Sequence, residues 1–182
     1  MKIKAINRQV AGAILGALIA MAILHYDDLL PHRWQTYTAP DASFSIDLPG
    51  KPVVESVPIP LDGGGSHAAN MISVEPTQKT GYICAFFDKP DLAKLSTEKA
   101  LDSMRDGGLA RIQGKVLWEK PITIQGHPGI ELQARARGGL LVDMRLCLVG
   151  TRAYVIMAIA RDDTDREFKT VRRFFDSFKM KV

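Results

Sequence analysis

The stretch Leu140–Arg161, with the sequence LLVDMRLCLVGTRAYVIMAIAR, decides the fold. It is the longest near-continuous apolar run after the N-terminus, and one turn signal, Gly150-Thr151, interrupts it. A two-residue type II′ turn takes glycine at its first central position. The stretch therefore predicts two core β-strands joined at Gly150-Thr151, with Val149 opposite Arg152.

The register of this hairpin sorts its side chains into two faces, because side chains alternate along a strand. One predicted face is wholly apolar and consists of Val142, Met144, Leu146, Leu148, Ala153, Val155, Met157 and Ile159. The other face is mixed: it sets Cys147 opposite Tyr154, Arg145 opposite Ile156 and Asp143 opposite Ala158. We expect the apolar face to be the core face and the mixed face to be covered only in part.

The rest of the chain predicts short strands and one inserted helix. The expected extended segments are 43–48, 53–59, 68–74, 82–87, 115–118, 122–125 and 130–137, with a turn over 126–129. Pro58 and Pro60 cannot donate ladder hydrogen bonds, which places 53–59 at a sheet edge. The helix is expected to begin at a cap on Ser96 or Thr97 and to end at Gly107-Gly108.

A second helix is predicted at the C-terminus. Thr164 and Glu167 have the spacing of a capping box. An aromatic and aliphatic stripe recurs at helical spacing, and it consists of Phe168, Val171, Phe175 and Phe178, with Phe174 adjoining. Such a stripe predicts packing on the sheet. The order of elements predicts an α+β fold, an antiparallel β-sheet flanked by helices, preceded by one N-terminal transmembrane or signal helix.

The N-terminus has the pattern of an export signal or a membrane anchor. Lys2, Lys4 and Arg8 precede residues 10–24, which are 15 uncharged apolar or small residues. A retained signal anchor over 9–26 and a signal peptide cleaved after Ala22 both fit.

Basic residues on the short side keep residues 1–8 in the cytoplasm. We therefore expect a linker over 27–40 and a globular domain over 41–180 outside it. The anchored form is a single-pass protein of the cytoplasmic (inner) membrane, and the cleaved form is periplasmic or secreted. Gly12 and Gly16 form a G-x-x-x-G, which predicts weak homodimerisation of the apolar helix.

The charge of the chain does not favour a nucleic-acid partner. The net charge is +4, from 24 basic and 20 acidic residues among 182. Three of the 24 basic residues precede the apolar segment, so 21 basic and 20 acidic residues remain in the rest of the chain. A nucleic-acid-binding domain usually carries a basic face. A nearly neutral domain is not expected to bind nucleic acid.

Four short motifs resemble the PsbP-like family. They are FSIDLPGKP at 44–52, IQGHPGIEL at 124–132, LVGTRAY at 148–154 and FFDSF at 174–178. The resemblance spans about residues 41–180, and within the family the chain most resembles the bacterial, membrane-tethered members. It implies an α/β/α sandwich around an antiparallel sheet, used as a non-catalytic binding or assembly module. It transfers no binding-site residue to this chain.

The residues with reactive side chains form no recognised catalytic or metal-binding motif. Cys84 and Cys147 are the only two cysteines, and both fall in predicted strands. Outside the cytoplasm they can form a disulfide, and the alternative is two buried free thiols. None of the four histidines has a metal-ligand spacing. We therefore expect no enzyme activity, no metal and no cofactor.

The expected function is a non-catalytic protein-binding or assembly module of the cell envelope. Its partner would be an envelope protein or a cell-wall component. The expected contact surface is the edge segment 53–59 and the following loop, which consists of Asp62, Gly63, Gly64, Gly65, Ser66 and His67. A carrier of a small hydrophobic ligand is the first alternative, and a hydrolase without a recognised motif is the second.

Overall fold

The computed structural model describes residues 33–60 and 66–181. Within these residues, ten strands and two α-helices form an α+β fold, as predicted. The strands are β1 (Gln35–Thr38), β2 (Phe44–Leu48), β3 (Val53–Pro60), β4 (Ser66–Thr77), β5 (Thr80–Asp88), β6 (Lys115–Ile124), β7 (His127–Arg135), β8 (Leu141–Val149), β9 (Arg152–Ala160) and β10 (Lys179–Met180). The helices are α1 (Thr97–Ile112) and α2 (Phe168–Asp176), with short 3-10 helices at Pro90–Lys94 and Arg137–Gly139.

Two antiparallel sheets organise the domain. The large sheet has the strand order β3-β4-β5-β9-β8-β7-β6, and the small sheet has the order β1-β2-β10. β3 lies at an edge of the large sheet, as predicted from its prolines. The expected anchor over 9–26 and its Gly12 and Gly16 lie outside the described residues. In the described part of the chain, no helix is both long and apolar enough to cross a membrane.

The central hairpin β8–β9 has the predicted register. Val149 pairs with Arg152, Leu148 with Ala153 and Cys147 with Tyr154. Gly150 has a φ of 59°, which suits the first central residue of a type II′ turn.

The expectation that the mixed face of this hairpin is covered only in part is wrong, because both faces are covered. The apolar face packs with Leu101 of α1 and its neighbours in one core. On the mixed face, Cys147, Tyr154 and Ile156 are buried in a second core, under α2 and the small sheet. The sandwich therefore has α1 on one side of the large sheet and α2 on the other. The alternation of the strands could not reveal this second layer, because distant segments supply it.

The helix α1 is longer than expected. Ser96 caps it as predicted, since its hydroxyl accepts a hydrogen bond from the Lys99 amide at 3.4 Å. The helix continues through Gly107-Gly108 and ends at Ile112, and Gln113 follows in the left-handed conformation. Ile112 and its neighbour Leu109 pack on the core of the apolar face. This packing offsets the cost of about 1 kcal/mol per glycine in a helix.

The strand β6 is continuous where a break at Pro121 was expected. It is the other edge of the large sheet, where a proline need not remove a ladder bond. The following turn is Gln125-Gly126, with φ values of 47° and 87°, and not the whole of 126–129. Gly129 belongs to β7, where an added Cβ would lie 2.5 Å from the carbonyl oxygen of Leu146. This glycine permits the close approach of β7 to β8, so it does not mark a turn.

Two short strands were not expected. β1 lies inside the predicted linker 27–40 and pairs with β2, with Gln35 opposite Leu48. The two-residue strand β10 pairs with the same strand from the other side. Both are too short for a hydrophobic period to show in the sequence, and their position depends on β2.

The aromatic stripe of α2 packs on the sheet as predicted, except at its first member. Phe174 and Phe175 are buried, whereas Phe168 is 58% exposed. The predicted capping box is not formed. The Thr164 hydroxyl donates to Asp162 Oδ1 at 2.6 Å, and the helix begins at Phe168 without a side-chain cap. Because the helix begins at Phe168, the N-cap position falls on Glu167, and Thr164 lies three residues too early to cap it.

Replacing Phe174 with alanine should lower the free energy of unfolding by about 3–5 kcal/mol, because the ring is fully buried. It makes an edge-to-face contact with Tyr82, with ring centroids 5.2 Å apart. Urea unfolding measures the loss, and Phe168→Ala on the same helix is the matched control with a loss of about 0.5 kcal/mol or less. Equal losses in the two variants would contradict this packing.

Candidate functional site

A groove of about 160 Å³ opens between α2 and the β6 edge of the large sheet. We refer to it as the α2–β6 groove. Glu131 of β7 and Asp143 of β8 line its floor, and Val171 and Phe175 of α2 line its wall. The helix α2 covers the middle strands of the large sheet. The same face of the sheet is open to solvent next to β6. The groove lies at the boundary between the aromatic core and solvent.

Strand register builds the floor from two rows of polar side chains. The first row crosses three strands, with Lys120 opposite Glu131 and Glu131 opposite Arg145. The second row, two residues along, sets Gln133 between Trp118 and Asp143. Opposite charges that face each other across antiparallel strands attract, so Glu131 is attracted to the cation on each side of it.

Glu131 is the centre of the first row. Its Oε2 accepts a hydrogen bond from Arg145 Nε at 2.7 Å, and its Oε1 lies 3.1 Å from Lys120 Nζ. Arg172 Nη1, from α2, lies 4.0 Å from the same Oε1. Burial raises the pKa of this carboxyl, but hydrogen bonds from Arg145 and Lys120 outweigh burial and hold the pKa below its ordinary value. Glu131 is therefore ionised at neutral pH.

Asp143 anchors the loop before α2. Arg166 donates to both of its carboxylate oxygens, from Nε at 2.6 Å and from Nη2 at 2.9 Å. Gln133 Nε2 donates to Asp143 Oδ1 at 2.9 Å. This bidentate pair is only slightly exposed. It holds the start of α2 on the sheet and so fixes one side of the groove.

An aromatic ring and a cation stand on each lip of the groove. Trp118 and Lys120 are two residues apart on β6, with Lys120 Nζ 5.6 Å from the indole centroid. Phe168 and Arg172 stand one turn apart on α2, with the guanidinium carbon 5.9 Å from the phenyl centroid. The side chains of Lys120 and Arg172 are each 51% exposed, whereas Glu131 is only 8% exposed. The mouth of the groove therefore presents cations and aromatic rings above buried carboxylates.

The groove was not predicted from the sequence, because the turn between β6 and β7 was expected over 126–129. A two-residue turn at Gln125-Gly126 would have set Lys120 opposite Glu131, as the register shows. That pairing of opposite charges was the available signal. The contribution of α2 had no signal in the sequence, because it depends on how the helix crosses the sheet.

Cys84 and Cys147, the candidate disulfide, are free and buried. They lie on β5 and β8, which β9 separates. Two strand spacings of about 4.8 Å put the Cα atoms beyond the reach of about 7 Å that a disulfide allows. The free-thiol alternative is the one that the structure shows. Burial raises the pKa of Cys147 to about 11 and also raises that of Cys84, so both thiols are protonated.

The predicted contact surface is described only in part. Asp62, Gly63, Gly64 and Gly65 lie outside the described residues, and Ser66 and His67 begin β4 opposite the end of β3. Val53 and Val54 of the edge strand are about half exposed. This surface stays a prediction. In residues 33–60 and 66–181, no three His, Cys, Asp or Glu side chains are grouped to hold a metal ion.

Comparison with known proteins gives likenesses in fold. No protein-family model matches the chain, and no curated protein matches it. The solved structures that are similar include cyanobacterial PsbP (CyanoP) from Synechocystis sp. PCC 6803, at 9% identity, with 84% of this chain and 95% of that chain covered and a TM-score of 0.49. PA94 from Pseudomonas aeruginosa, a protein of unknown function, is similar at 13% identity, with 73% of this chain and 85% of that chain covered and a TM-score of 0.42.

Replacing Glu131 with glutamine should destabilise the domain by about 1–3 kcal/mol at pH 7, because Arg145 loses its buried partner and keeps only the exposed Asp176. Since the folded-state pKa of Glu131 is lowered from 4.5, its charge stabilises the fold above that pH. The stabilisation is lost as the pH falls through the folded-state value.

Urea unfolding at pH 7 and at about pH 3 measures both quantities. The difference in the free energy of unfolding between the original protein and Glu131→Gln should be smaller at the lower pH. The exposed Glu55 of β3 gives a matched control, Glu55→Gln, with no comparable difference. A difference that is the same at both pH values would show that the charge of Glu131 is not what stabilises the fold.

Proposed function

We propose that this domain is a non-catalytic protein-binding module, and that a peptide segment of its partner docks in the α2–β6 groove. The observation that carries the proposal is the pair of exposed rings, Trp118 and Phe168, on the two lips of the groove. Exposed aromatic side chains beside arginine are the residue types that dominate binding energy at protein interfaces.

The size of the groove supports a side chain as its occupant. A cavity of about 150 Å³ in another protein holds one benzene molecule, and this groove measures about 160 Å³. Pockets for free organic ligands usually span about 300–1,000 Å³. One aromatic or large aliphatic side chain fits here, which favours a protein partner over the carrier of a hydrophobic ligand.

Docking by side chains is favoured over the addition of a strand to the β6 edge. Pro121 lacks the amide hydrogen that a new strand would need, and the register of β6 shifts between Val116 and Trp118. Bulges, prolines and lysines are the devices that keep edge strands from pairing. The exposed Val116 and Leu117 extend the apolar surface beyond the groove.

The chemistry of the floor favours binding over catalysis. A general acid or base works best with a pKa near the working pH. Glu131 has a lowered pKa and is held by Arg145 and Lys120, so it is a poor proton acceptor. The buried thiols of Cys84 and Cys147 are protonated and cannot serve as nucleophiles.

We also propose, from the sequence pattern of residues 1–26, that the domain is held at the cytoplasmic membrane and lies outside the cytoplasm. The partner is then another protein of the cell envelope. The candidate edge of β3 and the loop at 62–67 remain a second contact surface in this proposal.

A photo-crosslinker at position 168, in intact cells, should trap one discrete envelope protein. The same crosslinker at exposed Arg111 on α1, on the opposite side of the sheet, should not trap it. With the purified partner, Trp118→Ala should weaken binding by about 30-fold, as expected for a hot-spot ring.

The trapped complex also tests the location. Recovery in the membrane fraction with residues 1–22 intact is expected, and a trapped protein that lacks them would contradict the anchor. Trapping of the same protein from both positions, or unchanged affinity of Trp118→Ala, would contradict docking in the groove.

A further inference from the structure

We propose that the α2–β6 groove is a carboxylate receptor, and that the docked segment places an acidic group between Lys120 and Arg172, next to its apolar anchor. The inference rests on the proposed function and specifies the partner's chemistry: a peptide with one aromatic or large aliphatic residue beside an acidic one.

The groove has an apolar end and a cationic end. Trp118 and Lys120 are two residues apart on β6, so they share a face of the sheet. Phe168 and Arg172 are four residues apart on α2, so they share a face of the helix. Trp118 lies in the row of Asp143, whose partner Arg166 stacks on Phe168 with 5.1 Å from guanidinium carbon to ring centroid. Trp118 and Phe168 therefore lie on the side of Asp143. Lys120 and Arg172 lie on the side of Glu131.

Lys120 and Arg172 converge on one oxygen. Lys120 Nζ is 3.1 Å from Glu131 Oε1, and Arg172 Nη1 is 4.0 Å from the same atom. Their nitrogens are therefore no farther apart than these two distances combined. One carboxylate can bridge that span, with an oxygen at about 2.7–2.9 Å from each nitrogen.

The charges at this end are not balanced. Glu131 and Asp176 are two anions beside three cations: Asp176 pairs with Arg145 at 3.1 Å, and Arg145 also takes Oε2 of Glu131 at 2.7 Å. At 4.0 Å, Arg172 is too far from Oε1 for a hydrogen bond. Both Lys120 and Arg172 are half exposed, so an incoming anion can pair with them without first being buried alone in an apolar environment. An added carboxylate would complete the set of pairs.

A carboxylate fits this end better than a phosphate. Glu131 and Asp143 lie in the floor, so a dianion would meet stronger repulsion than a monoanion does. The planar guanidinium of Arg172 matches a carboxylate with two parallel hydrogen bonds. The rings next to it require an apolar group on the same ligand. These features together select an acidic peptide segment with an apolar anchor.

The test uses three small probes that share one phenyl ring: 3-phenylpropionate, 3-phenylpropan-1-ol and 3-phenylpropylamine. The full chain is labelled with 5-fluorotryptophan, placed in nanodiscs of zwitterionic lipid, and titrated by ¹⁹F NMR. The chain contains two tryptophans. Trp118 reports on the groove, and Trp34, which lies against Arg173, is the internal control.

We expect the anionic probe to shift the Trp118 resonance with an affinity about three- to tenfold higher than that of the alcohol, and the amine to bind most weakly. Lys120→Met and Arg172→Met should each bring the ratio of the affinities for the anion and the alcohol close to one. Lys169→Met, on the same helix, is the matched control and should keep it.

Equal binding of the anion and the alcohol would overturn the carboxylate receptor and leave the apolar docking groove in place. Tightest binding of the amine would overturn it as well, because the floor carboxylates would then dominate. If no probe shifts Trp118, the groove does not accept a ring, and the proposed function fails with the inference.

Discussion

The rest of the domain depends on a hairpin that is buried on both faces. β8 and β9 lie in the middle of the large sheet, and their side chains alternate between two cores. One core needs α1 to cover it, and the other needs α2 together with the small sheet. The aromatic core is ordered around Phe44 of β2, whose ring meets those of Phe86, Tyr154 and Phe178 at centroid distances of 5.2, 5.7 and 5.6 Å. Without the second layer, the hairpin would expose this cluster to water.

The groove exists because α2 packs on the middle strands of the sheet and leaves β6 exposed. Under α2 the face of the sheet carries aromatic rings. Toward the β6 edge it carries the row of Lys120, Glu131 and Arg145. Ion pairs of this kind are costly to bury, and apolar residues of similar size would often stabilise the fold as well or better. The row is therefore poorly explained by stability alone. The proposed recognition of an acidic partner would account for it, because charge sets specificity at interfaces.

Features that depend on neighbouring residues in the sequence could be predicted. The register of the hairpin followed from one glycine and an alternating pattern, and the edge position of β3 followed from two prolines. Burial of Phe174 and Phe175 followed from helical spacing. Features that depend on distant segments could not be predicted. They include the cover over Cys147 and Tyr154, the extension of α1 to Ile112 by packing, and the meeting of α2 with the β6 edge. The site was missed for this reason, and also because the turn at Gln125-Gly126 was placed too late in the chain.

The most direct test of the account is to replace the charged row by apolar side chains and to measure both stability and binding. In a variant with Lys120→Met, Glu131→Leu and Arg145→Met together, no charge of the row stays buried without a partner. We predict a free energy of unfolding equal to that of the original protein or higher by up to about 4 kcal/mol. We also predict the loss of the preference of the groove for the anionic probe. A loss of several kcal/mol in stability, with the anion preference retained, would show that the row is structural and would contradict the account.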